Sequence, residues 1–126
     1  MTTSTDPSLR FALDAARIAS ELKVEQIVLL DLRGLTSLAD FFVIGTGTSD
    51  RQMHAVLHEI KQFAKTVERT PLRVSDSGSS AWILADYVDV VVHLFDSDSR
   101  EYYDLDGLWG HAPEVELPAE GTGNRE

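Results

Sequence analysis

The apolar positions change period several times along the chain, and each change marks an element. Asp6-Pro7 pairs an N-cap acceptor with proline at the first helical position. Phe11, Ala15, Ile18 and Leu22 follow at helical spacing, widened by Ala12, Ala16 and Ala19 into a buried stripe. This predicts a helix ending near Lys23. Gln26–Arg33 is a leucine and β-branched run of strand length, broken by Gly34, and Phe41–Thr46 is a second. Ser49 or Thr48 then caps a helix over 50–67, in which Met53, Val56, Leu57, Ile60, Phe63, Ala64 and Val67 repeat at threes and fours. Thr70-Pro71 stops it.

Leu72–Ser75 reads as a weak edge strand and residues 76–80 as a turn. Trp82–Ala85 and Val88–Phe95 read as strands of an antiparallel hairpin, joined by a tight Asp86-Tyr87 link. Ser97 or Ser99 caps a short final helix through Tyr102, Tyr103, Leu105, Leu108 and Trp109, and Gly110 and Pro113 end it. The order α-β-β-α-β-β-β-α predicts an α/β fold, with a mixed five-stranded sheet flanked by helices. The helix over 50–67 is long enough to be the right-handed crossover between parallel strands. One domain over 9–111 is expected, between a flexible 1–8 and an acidic, flexible 112–126.

Composition narrows the classes. At 126 residues, with 43% hydrophobic and 25% charged residues, the chain has ordinary globular usage. There is no cysteine, which removes disulfides, thiolate metal sites and cysteine nucleophiles. Residues 1–8 lack the pattern of a signal peptide, and no apolar run approaches bilayer length, so the chain reads as soluble and intracellular. The net charge of −10 is unevenly spread: residues 1–95 hold 12 acids and 9 bases, residues 96–126 hold 9 and 2. Such a chain lacks the cationic footprint of direct nucleic-acid binding, and on a nucleic-acid machine it would grip a basic protein component.

The candidate chemistry is thin. Gly45-Thr-Gly-Thr-Ser49 sits where a strand meets a helix, yet it lacks the lysine of a P-loop, and Asp50 would repel a phosphate. A tight turn with a serine cap is the preferred reading. Asp96/Asp98, Asp104/Asp106 and Asp86/Asp89 offer carboxylate pairs such as a metal-dependent nucleotidyltransferase needs, and that enzyme is the alternative function. Residues two apart on a helix do not share a face, however, so solvated or dipole-paired carboxylates are preferred. His54 and His58 are one turn apart without the glutamate of a zinc protease, and they read as solvated. His93, alone in an apolar strand, reads as a core or interface histidine. No metal or cofactor is expected. Both tryptophans and all three tyrosines fall within 82–109, as suits the centre of a protein interface, and the Asp86-Tyr87 link at a sheet end would bring Trp82 or Tyr87 to the surface.

Four blocks, in order, carry a resemblance. They are Asp31-x-x-Gly34-x-x-Ser37-x-x-Asp40; Gly45-Thr-Gly-Thr-Ser49-x-Arg51; Trp82-Ile-Leu-Ala-Asp86-x-x-Asp89-Val-Val-Val-His93; and Arg100-x-x-Tyr103-x-Leu105-x-x-Leu108-Trp109. Together they resemble the ribosomal silencing factor family, also called RsfS or Iojap-like, over about residues 9–110. Two departures stand out: Val88 occupies a position where many members have glycine, and Asp106-Gly107 replaces a Glu-Lys-like pair. The resemblance implies a binding module with no enzymatic activity and a nucleotidyltransferase-like topology without the catalytic carboxylates. It implies attachment to the large ribosomal subunit through basic ribosomal protein fourteen, a steric block to subunit joining, and repressed translation when nutrients are short. Members can be homodimers when free. By motif position it points to Trp82, Asp86 and Tyr87 as the interface, with Val88, His93 and Phe95 behind them. Arg100 and Tyr103 would brace the last helix, and Asp40 and Arg51 would orient the glycine turn.

Overall fold

The computed structural model describes residues 6–75 and 81–118. Helix α1 spans Pro7–Glu21, with the Asp6 side chain accepting from the Ser8 amide; α2 spans Asp50–Thr66, capped by Ser49. The strands are β1 (Glu25–Asp31), β2 (Phe41–Thr46), β3 (Arg73–Ser75), β4 (Trp82–Asp86) and β5 (Val90–Phe95), followed by α3 (Ser97–Tyr103) and α4 (Leu105–Leu108). They form one mixed sheet in the order β1-β2-β5-β4-β3. Only β2 and β5 are parallel neighbours, in the register Phe41↔Val90 to Thr46↔Phe95. Helix α2 carries the chain from β2 to the far edge strand β3, and β4 and β5 return to fill the gap.

Strand alternation gives the sheet two different faces. Phe41, Val43, Ile83, Ala85, Val90, Val92 and Leu94 meet the apolar stripes of α1 and α2 in the main core. Leu30, Phe42, Ile44, Val91 and Phe95 point the other way, where among the described residues Leu105, Trp109 and Ala112 from the short C-terminal elements pack against them and Tyr103 lies over Phe95. One face is thus sealed by two long helices and the other by a thin lid toward the β1–β2 side.

The details depart from the sequence expectations in five places. The hairpin link is longer than Asp86-Tyr87, because β5 starts at Val90 rather than Val88. Val88 lies in the left-handed region at φ 78, which explains why glycine suits this position. The last helix breaks at Asp104, itself left-handed at φ 49, and its N-cap is Asp96 rather than Ser97 or Ser99. Strand β1 ends at Asp31 rather than at Arg33. Finally, the packed chain runs past residue 111. The Asp31 amide donates to the Pro113 carbonyl and the Val115 amide to the Leu29 carbonyl, and Ala112 is buried. At the other end, residues 6–8 belong to the cap and first turn of α1. The turn expected over 76–80 lies outside the described residues.

Val88 is 60% exposed, so its side chain gains little from burial while its backbone bears a left-handed cost of about 1–2 kcal/mol. Val88→Gly is therefore expected to stabilise the fold by roughly 0.5–1 kcal/mol, after the extra freedom of glycine in the unfolded chain is deducted. A rise of a few degrees in the thermal midpoint would show it. An unchanged or lower midpoint would contradict it.

Candidate docking face

The six interface residues expected from sequence fall into three groups. Trp82, His93 and Phe95 come together on the thinly covered face, because β4 and β5 pair Trp82 with Phe95 and Leu84 with His93. Trp82 is half-buried; its ring stacks on Phe95 at 5.0 Å and meets Tyr103 at 4.9 Å. His93 and Phe95 are buried beneath it. Asp86 and Val88 form the second group, at the hairpin end. Asp86 is half-buried, accepts the Val88 amide at 2.8 Å, and has Arg73 Nε at 3.6 Å. Tyr87 stands by itself on the opposite face. It is only 4% exposed and packs edge-on against Phe11 of α1 at 4.9 Å, and burial pushes its phenol up. Tyr87 therefore sits inside the helical core and Trp82 is the surface ring of the two.

Sequence reasoning passed over two neighbours. Leu84 lies between Trp82 and Asp86 on the same side of β4 and is half-buried. Positions 82, 84 and 86 share a face by period-two alternation, a signal present in the sequence. Tyr103, expected as a brace, touches Trp82 yet remains exposed, and Tyr102 beside it is 81% exposed. Exposed Asp98 and Glu101 border these rings. The result is an aromatic and aliphatic patch with an acidic rim, which suits a partner bearing lysine or arginine.

Arg100 holds α3 and α4 in place. Its Nε and Nη2 donate to the two oxygens of Asp106 at 2.8 Å, and Nη1 donates to Thr46 Oγ1 at 2.9 Å. The Arg100 hydrogen bonds keep the Asp106 carboxyl below its usual range despite partial burial. Three more of the candidate carboxylates also have structural work: Asp96 caps α3, Asp104 caps α4, and Asp89 binds both Ser8 Oγ and Arg69 Nη1. Burial opposes ionisation of Asp89, but the Arg69 and Ser8 bonds together hold its carboxyl low. Among the described residues no cluster of three or more histidines or acids is placed to hold a metal ion. His54 Nδ1 lies 2.9 Å from the Asp50 carbonyl on the exposed side of α2. None of the helices described is long and apolar enough to cross a membrane.

The glycine turn is built for packing. A Cβ at Gly45 would sit 2.5 Å from Val24 Cγ1, and one at Gly47 would run into Met53. Gln52 ties the turn together, accepting the Thr48 amide at 2.7 Å and donating to the Leu22 carbonyl at 2.9 Å. That bracing falls to Gln52, where Asp40 and Arg51 were expected.

A family model described as "Ribosomal silencing factor during starvation" matches residues 5–126. The ribosomal silencing factor RsfS of Halalkalibacterium halodurans is 42% identical over 103 residues, covering 82% of this chain and 88% of that protein. The RsfS protein of Bacillus subtilis is 39% identical over the same length, covering 82% and 87%. A crystal structure of a Chromobacterium violaceum protein superposes with a TM-score of 0.74 at 29% identity, over 97% of this chain and 98% of that one.

Proposed function

Because this chain belongs to the ribosomal silencing factor family, we propose that it binds the large ribosomal subunit through basic ribosomal protein fourteen and blocks subunit joining by occupying that surface. Translation falls because large subunits are withheld, with no bond made or broken. The compartment of this activity is the cytoplasm, and the free chain pairs with a second copy.

The observation that carries this reading is the partly exposed indole of Trp82, set on the sheet face that the two long helices leave to the short C-terminal elements, with acids near it. Large rings at the centre of a patch carry most of the energy of a protein interface, while charged rims select and steer the partner. In this reading Trp82 is the anchor, Leu84 and Tyr103 extend its contact, and Asp86 meets a lysine or arginine. Val88 touches the partner at the hairpin end. His93 and Phe95 act from beneath the anchor, and Tyr87 fixes the hairpin against α1.

The test is cosedimentation. The chain is expected to pellet with isolated large subunits and not with assembled ribosomes. Trp82→Ala is expected to weaken retention by about 2 kcal/mol or more, as for a central aromatic anchor, while leaving a cooperative unfolding transition. Equal retention of the variant would remove Trp82 from the site, and equal pelleting with assembled ribosomes would remove the steric mechanism.

A further inference from the structure

We infer that His93 is the positioning residue of the docking face: by accepting the indole hydrogen bond it fixes Trp82 in the pose that the partner receives. This rests on the docking role of Trp82 argued above, and assigns His93 a part distinct from touching the partner.

Trp82 Nε1 donates to His93 Nδ1 at 3.2 Å. The two residues are diagonal neighbours across the antiparallel β4–β5 pair, a separation that large rings span. An indole N–H can only donate, so on a face otherwise built of Leu84, Phe42 and Phe95 it needs this acceptor. His93 is itself held rigidly. Phe42 meets its ring edge-on at 4.5 Å, and Phe95 lies nearly parallel to it at 6.4 Å. Burial pushes the imidazole down to about 4, against the pull of Asp86, so the ring is neutral at pH 7 and its lone pair is free to accept.

Accepting through Nδ1 places the imidazole proton on Nε2, and that buried atom has no hydrogen-bond partner among the described residues. A buried orphan donor is rare and costs the fold free energy. A histidine kept only for packing would be replaced to advantage by an apolar ring. What an apolar ring cannot do is hold the indole. Without the acceptor the N–H must turn toward water, and docking must then reorder the anchor.

The test separates binding from folding. His93→Phe keeps a flat ring but has no acceptor, whereas His93→Asn keeps an acceptor at the Nδ1 position. His93→Phe is expected to unfold at the same temperature as the parent or higher, yet to bind large subunits about fivefold more weakly. His93→Asn is expected to bind within about twofold of the parent. In nitrogen-15 spectra the Trp82 indole proton, assigned by its loss in Trp82→Phe, is expected to move upfield in His93→Phe and stay near the parent position in His93→Asn. Parental binding by His93→Phe, or an unmoved indole resonance, would overturn the positioning role. Undiminished binding by Trp82→Ala would instead remove the docking reading, and the indole resonance would still decide whether His93 holds the ring.

Discussion

Lowering the pH from 7 to 4 is expected to cost the fold about 3 kcal/mol through His93 alone. The folded state holds this imidazole at about 4, against 6.5 for an unperturbed histidine. A lowered histidine pKa means that the unfolded chain takes up a proton which the folded chain refuses. The stability is therefore fully present above about pH 6.5 and is lost as the pH falls toward 4. The cause is burial on a face where Phe42, Ile44, Trp82, Leu84 and Phe95 supply no charge; Asp86, on the neighbouring strand, pulls the other way without prevailing. Asp31, Asp89 and Asp106 also have shifted carboxyls, but theirs are lowered from 3.8, so most of their loss comes at more acid pH and His93 dominates the window from 6.5 to 4. Urea unfolding of the parent at pH 7, 5.5 and 4 would trace the decline. His93→Phe should remove most of it, since His54, His58 and His111 are common to both chains. Parallel slopes for the two proteins would refute the assignment.

The sequence carried the helical side of this fold well and the hairpin end poorly, for identifiable reasons. In α1 and α2 the apolar period, the cap and the stop coincide, so burial and local preference agree. From Val88 to Phe95 the run is apolar apart from Asp89 and His93 and reads as one strand, yet the hairpin spends 87–89 on its turn. No glycine marks the left-handed residue there, because Val88 accepts that strain. Asp104 hides the break between α3 and α4 in the same way, although aspartate tolerates the left-handed region better than most residues. Pro113 looked like an end to order. A proline still offers its carbonyl, and the Asp31 amide at the edge of β1 takes it. On the docking face the deciding signal was parity. Tyr87 continues the Ile83 and Ala85 series toward the helices, while Trp82, Leu84 and Asp86 face the thin side. Composition grouped all the aromatic residues of this region together, and alternation alone sorts them.

The same sorting predicts that Phe95→Ala will be far more damaging to folding than Trp82→Ala. Phe95 is fully buried and has Trp82, Tyr103 and His93 around its ring. Removing it loses the transfer free energy of a phenyl group and leaves a cavity, together about 3–5 kcal/mol. Chemical denaturation with an unchanged m-value would measure this directly. A loss below about 1.5 kcal/mol would mean that Trp82 and Tyr103 close over the gap, and that the platform is softer than its ring contacts imply. Binding adds the discrimination. Trp82→Ala should lose partner affinity with a smaller loss of stability, because part of the ring already faces solvent. Phe95→Ala should lose stability first, and affinity only because the anchor no longer has a floor. His93→Phe should lose affinity with no loss of stability at neutral pH. Three substitutions within one aromatic cluster thus have three different ratios of binding to folding effect, and a shared ratio would mean that the cluster is simply core.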